Sequence, residues 1–280
     1  MRLNSEQLDQ LNVDGYVIID CPFPRELTDA CLEAVSMTAV DPEDMTPDAK
    51  KNHHSLPPQI PDSYWCALDH ASPFLAIELH AEILEIARQL EGHQDIYYRN
   101  GGINELAPGR GFLWHRDTEW DYIEFMHYFS DASISDGCLR VIPGSQVGEK
   151  DRWMDRIDAL RQEQDYDDPP TMEGPADVRM DGEIPLEITS DQFIVRHSKI
   201  LHATWKNESQ KGRLMHHWVF RHPSEDNHRF AWQDYLTEEL IEGLSQDQKD
   251  ALWLDRDFEI HEKYVGERER ELGKVMWGVV

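Results

Sequence analysis

No stretch of this chain is apolar over anything near the roughly 20 residues a helix needs to cross a bilayer, so no membrane span is expected. Cysteine is scarce. Cys21, Cys31, Cys66 and Cys138 form no CxxC pair, and no basic segment followed by an apolar run opens the chain as a secretory leader would. Reduced thiols and a cytoplasmic protein are the expectation. Positive charge is short as well. With 27 basic against 55 acidic residues the formal charge is −28, and a surface of that sign repels a nucleic-acid backbone or an anionic membrane. The acidic excess is dispersed along the chain, which is the pattern of a solvated surface.

What the chain has is core-forming material. Its 280 residues are 40% hydrophobic and 10% aromatic, with nine each of Trp, Tyr and Phe spread along the length. That composition argues against disorder and for one elaborated domain over 1–280.

Residues 1–92 read as mainly helical. Asn4 or Ser5 caps a polar, leucine-spaced segment over 4–13, a turn at Asp14-Gly15 leads into the strand GYVIID (15–20), and Pro24 opens a helix to about residue 38. Residues 39–62 have little periodicity and read as an exposed loop, a candidate lid. Residues 71–91 repeat apolar positions at helical spacing and stop before Gly92, which predicts one long helix. From 93 to 221 the pattern changes to short β-like runs at 96–106, 111–120, 123–130, 137–143, 192–207 and 212–221. The series predicts a mainly β fold with flanking helices, its core an antiparallel sandwich or barrel of jelly-roll type. A polar insertion at 147–185, with one helix at 151–163, interrupts the strands. A C-terminal extension, 222–280, carries acidic helical sequence at 234–274.

Side chains alternate faces along a strand, so His115 and Asp117 in WHRD point one way and Arg116 the other. His202, in a separate β-like segment, supplies a third donor and completes a two-histidine, one-carboxylate set covering one face of a metal. The open face leaves room for a chelating co-substrate and for oxygen, which suits iron(II) better than a closed structural zinc site. An HxD by itself is weak in a chain with 14 histidines. Arg213 supplies context. It lies eleven residues after His202, at the start of the next β-like run. Its forked guanidinium matches the distal carboxylate of 2-oxoglutarate, through charge-assisted hydrogen bonds of about 1.5–3 kcal/mol each in a dry pocket. Lysine would not present the same fork.

In order along the chain, GYVIID, WHRD, SDASISDGCLRVIPGSQ (130–146) and ILHATWKNESQKGR (200–213) resemble the phytanoyl-CoA dioxygenase family of iron(II)/2-oxoglutarate oxygenases, over about residues 10–221. The family's HxD, its Gly-x-Leu-x-x-x-Pro-Gly-Ser turn, its distal His and the Arg eleven residues beyond fall here on His115 and Asp117, on Gly137 through Ser145, on His202 and on Arg213. Gln146 is a departure, since a His often follows the Pro-Gly-Ser. The resemblance implies a double-stranded β-helix (cupin-like) core with the site at one open end. It also implies iron(II), 2-oxoglutarate and O2 as metal and co-substrates, and hydroxylation of a small-molecule metabolite with release of succinate and CO2. Related halogenases lack the carboxylate that Asp117 supplies, so halogenation is not expected. Desaturation, cyclisation and epoxidation stay open, as do a cupin-like metal isomerase or hydrolase and a non-catalytic binding module on the same barrel. The expected partner is a small molecule, neutral or cationic, with no nucleic acid and no membrane, and the expected state is a monomer or homodimer.

Other residues near these motifs carry weaker signals. Thr204, Asn104 and Tyr98 are candidate co-substrate contacts, with simple packing as the alternative for each. His217 and Met215 share a strand face with Arg213 and are candidate pocket residues, while Trp120, three residues past Asp117, is a candidate substrate contact. Trp114 and Trp218 read as core or wall. His127, His197 and His216 read as satisfied core or surface histidines, and Gly101-Gly102 as a bulge or bend.

Overall fold

The computed structural model describes residues 1–38, 72–117, 121–148, 150–164, 178–221, 236 and 238–254. The segment 39–62, Cys66, Trp120 and most of the C-terminal extension lie outside the described residues. Chain order is α1 (Ser5–Asp14), β1 (Tyr16–Asp20), α2 (Arg25–Thr38), α3 (Ser72–Glu78), α4 (Ala81–Glu91), β2 (Tyr97–Leu106), β3 (Phe112–His115), β4 (Ile123–Tyr128) and β5 (Leu139–Val141). There follow α5 (Lys150–Glu163), β6 (Ile184–Leu186), β7 (Gln192–His197), β8 (His202–Thr204), β9 (Arg213–Arg221), α6 (Glu238–Gly243) and α7 (Gln246–Ala251).

Local signals account for the entry into the fold. The Asn4 side chain accepts from the Gln7 N–H while the Gln7 side chain accepts from the Asn4 N–H, each at 2.9 Å, a reciprocal cap on α1. Gly15 ends α1 at φ 85°, a left-handed conformation that costs glycine little, and β1 begins one residue later.

The strands form two antiparallel sheets, ordered β1-β7-β4-β9-β2 and β3-β8-β5-β6. From β3 to β5, and again from β7 to β9, successive strands alternate between the sheets, the winding of a double-stranded β-helix. Period-2 alternation then sorts the side chains. Val17, Ile19, Phe125, Val195, Trp218 and Phe220 leave the outer face of the five-stranded sheet to pack with Phe74, Leu75, Ile83 and Ile86 of α3 and α4. Tyr16, Met126, Tyr128, Leu139, Val141 and Ile194 fill the space between the sheets. Trp114, Leu201 and Ala203 leave the outer face of the other sheet to meet Ile157 and Leu160 of α5. Trp114 and Trp218 are thus core, as their sequence context predicts. No described helix is long and apolar enough to cross a membrane.

Three elements differ from expectation. The predicted helix over 71–91 is two helices, broken at Leu79-His80, where His80 turns extended (ψ 136°) and caps α4 without a side-chain bond. The break sets Glu78 against Tyr98 and His216 in the core, a long-range contact that helical periodicity does not encode. The run 192–207 is two strands in different sheets, parted by a turn closed from Ile200 N–H to the His197 carbonyl. The insertion 147–185 contains the expected helix but ends in β6, which pairs with β5. Cys21, Cys31 and Cys138 are free thiols, and burial pushes Cys138 up to about 12, so it stays protonated at neutral pH.

Candidate metal centre

His115 is the last residue of β3 and His202 the first of β8, and the two are register partners across that antiparallel pair. Their rings lie 4.1 Å apart between centroids. Each is oriented from behind: Nδ1 of His115 lies 2.7 Å from the Leu113 carbonyl and Nδ1 of His202 lies 2.9 Å from the Ile200 carbonyl. A carbonyl only accepts, so Nδ1 carries the proton in both rings and Nε2 keeps its lone pair for the site. The Pro-Gly-Ser turn helps set this height. Ser145 Oγ accepts the N–H of Leu201, one residue before His202, and Gln146 donates to the Asn12 and Val13 carbonyls at the end of α1. The turn's role is structural, with Gln146 serving as a tie.

Asp117 reaches the histidines by a different route from the strand alternation expected for WHRD. β3 ends at His115, its register shifts between Phe112 and His115, and Asp117 sits in a bend beyond the strand. Its Oδ1 lies 3.3 Å from His115 Nε2 and 3.5 Å from His202 Nε2, and the three donors all lie within 4.8 Å of one another. Arg116 does point away, donating to the Gly148 carbonyl at 3.2 Å.

What holds Asp117 is Arg196 on β7, whose Nη2 donates to Asp117 Oδ2 at 2.6 Å. Burial alone pushes the Asp117 carboxyl up, but Arg196 above all, then His202 and His115, hold it well below the usual carboxylate range. Burial, then the charge of Arg196, keeps the His202 ring well below its usual value. An ionised carboxylate and a neutral ring are the forms that ligate a divalent metal.

Deeper in the barrel the inward rungs follow the register. Val141 pairs with His202 and Leu139 with Thr204, and Gly137, in the turn that leads into β5, accepts at its carbonyl from Arg213 Nη1. Arg213 is buried, with its guanidinium carbon 4.5 Å from the Tyr128 ring centroid. Thr204 Oγ1 and Arg213 Nε are buried without hydrogen-bond partners, as fits a place where co-substrate oxygens complete the bonding. Asn104, Met215 and Tyr128 share the rung beside them, and His217 lies on the next, with Nδ1 2.9 Å from Glu124 Oε1. Thr204, Asn104, Met215 and His217 therefore face the same interior as the metal-binding set.

Tyr98 does not. It lies on the outer face of β2, where its hydroxyl donates to Glu78 Oε1 at 2.9 Å. A bulge falls between Tyr98 and Asn100, and the glycines after it answer close approaches. A Cβ on Gly101 would meet the Tyr98 hydroxyl and Glu78 Oε1, and one on Gly102 would lie 2.7 Å from His217 Nε2. Arg196 and Glu124 were not singled out by motif. The available signal was a charged residue beside the apolar run of each of two strands, IEFMHY and QFIVRH.

Two wound antiparallel sheets, with a two-histidine, one-carboxylate cluster at one end, define a cupin-like oxygenase fold. The family profile described as Phytanoyl-CoA dioxygenase (PhyH) matches residues 11–215, and the chain belongs to that family. It is an iron(II)/2-oxoglutarate-dependent oxygenase, and His115, Asp117 and His202 fit an iron site. Among solved structures it is similar to EctD from S. alaskensis with bound Fe (16% identity, 79% of this chain and 78% of that one, TM-score 0.56). It is similar also to AviO1 from Streptomyces viridochromogenes Tue57 (15%, 79% and 95%, TM-score 0.58). EvdO2 from Micromonospora carbonacea var. aurantiaca, solved with 2-oxoglutarate, is alike over 78% of this chain and 90% of its own (15%, TM-score 0.51). At such identities the likeness is one of fold. No curated protein matches the chain.

Proposed function

We propose that this oxygenase hydroxylates a small-molecule metabolite with release of succinate and CO2, that His115, Asp117 and His202 hold its iron, and that Arg213 anchors the distal carboxylate of 2-oxoglutarate. The carrying observation is the convergence of two Nε2 lone pairs and Asp117 Oδ1 within 4.8 Å, above the unpartnered Thr204 Oγ1 and Arg213 Nε. Iron bound there supplies oxygen activation coupled to oxidative decarboxylation of the co-substrate. The chain's own work is placement. The Leu113 and Ile200 carbonyls aim the two imidazoles, Arg213 sets the depth of the co-substrate, and Thr204 and Asn104 contact its oxygens. Met215 and His217 wall the chamber, and Trp120 is the proposed substrate contact. Hydroxylation is supported by EctD, a structure of which holds 2-oxoglutarate and 5-hydroxyectoine.

Anaerobic addition of iron(II) and then 2-oxoglutarate should produce a visible metal-to-ligand charge-transfer band. Absence of that band at saturating iron overturns the assignment of the centre.

A further inference from the structure

We propose that Arg196 is a positioning residue that confines Asp117 to one ligating oxygen and so keeps a coordination position open for the co-substrate. The inference rests on the metal-centre reading above.

Arg196 faces inward from β7, the second strand of the five-stranded sheet, paired with Tyr16 on β1 and Glu124 on β4. Its side chain is 3% exposed, and it sits among Met126 and Ile194 where apolar residues fill the space between the sheets. Nη2 donates to Asp117 Oδ2 at 2.6 Å and forms an ion pair with Glu124 Oε2, while Nε lies 3.0 Å from Met126 Sδ. Nη1 lies 3.4 Å from His202 Nδ1, which already gives its proton to the Ile200 carbonyl and has no lone pair to offer.

The consequence for Asp117 is geometric. A carboxylate free to turn can bind a metal through both oxygens, but here Oδ2 is held by a charge-assisted hydrogen bond and only Oδ1 faces the two Nε2 atoms. Bidentate binding would break that bond and fill a position that a chelating co-substrate needs. Glu124 holds Arg196 from the other side and is itself held by His217, so the restraint runs from the metal carboxylate to β9. A buried ionic triad is seldom more stable than an apolar one of the same shape, so its presence against a metal ligand points to orientation as its purpose. The same geometry separates the two interior arginines, because the fork of Arg196 is committed to protein carboxylates and Arg213 is left for the co-substrate.

The test is the 2-oxoglutarate titration of the iron(II) enzyme under anaerobic conditions, read by the charge-transfer band, with iron affinity measured separately. Arg196→Met with Glu124→Gln removes the cation and the Glu124 charge together, so that Asp117 is the one carboxylate left to be balanced by the iron it faces. With iron held at saturation for each variant, the pair should need on the order of tenfold more 2-oxoglutarate than wild type to reach half the band, the lower end of the scale for a lost ligand-orienting contact. Arg196→Lys, which keeps the charge and loses the fork, should fall between. A folded double variant with the wild-type midpoint overturns the proposal. Should the double variant not fold, Arg196→Lys alone is read the same way: a raised midpoint supports the restraint and an unchanged one overturns it. A wild-type enzyme without the band instead overturns the metal-centre reading on which this one rests.

Discussion

Two buried arginines face the same barrel interior, and their neighbours give them opposite duties. Arg196 stands between the carboxylates of Asp117 and Glu124, which keep it a cation despite its burial. Arg213 meets the Gly137 carbonyl and the Tyr128 side chain, with Nε left without a hydrogen-bond partner among the described residues, and so retains a donor for an anion. Arg213→Ala should therefore raise the 2-oxoglutarate requirement by about ten- to a hundredfold, the loss of one charge-assisted bond of about 1.5–3 kcal/mol. Metal affinity should hold, since Arg213 contacts none of the three metal-binding side chains. Parallel titrations of metal and 2-oxoglutarate separate the two effects, and unchanged co-substrate affinity would show the anchor to be misassigned.

Among the elements, the break between α3 and α4 has the clearest consequence. It delivers Glu78, 0% exposed, to Tyr98 of β2 and His216 of β9, each 2.9 Å from Oε1. The helical layer is thus tied to the back of the barrel by a buried hydrogen-bonded cluster on the face away from the metal. Removing one member leaves the others desolvated, so Glu78→Ala should cost about 1–3 kcal/mol in denaturant unfolding for each buried partner left unsatisfied. Glu78→Gln keeps an acceptor and should cost less. A loss under about 1 kcal/mol for the alanine variant would show that the cluster contributes nothing beyond packing.

At the scale of the whole molecule, acid sensitivity has a named source besides the acidic surface. Burial pulls the His127 ring down from 6.5 to about 4, against its hydrogen bond to the Ser190 carbonyl. Above pH 6.5 the ring is neutral folded and unfolded, and no linkage arises. As pH falls toward 4 the unfolded chain takes up the proton first, so stability drops across that window by about 3 kcal/mol in total. His127→Gln removes this slope. Its stability relative to wild type, from chemical denaturation between pH 4 and 7, should improve steadily as pH falls, and a pH-independent difference would refute the assignment.

How far the sequence reached is visible in particular residues. Composition, two-residue alternation and the ordered motifs ending in Arg213 determined the class of fold, the family and the three side chains that fit an iron site, because such signals are local or lie in one-dimensional spacing. The Asn4 cap and the Gly15 stop were legible for the same reason. Only the tertiary structure decided that 192–207 divides between two sheets, that Tyr98 turns outward to Glu78, and that Asp117 leaves the strand to meet Arg196. Those outcomes depend on which strands pair and in what register, and on charges 79 residues apart in sequence meeting in a dry interior. Spacing names the donors, whereas the restraint on the carboxylate exists only once β4, β7 and the bend at Asp117 are packed together.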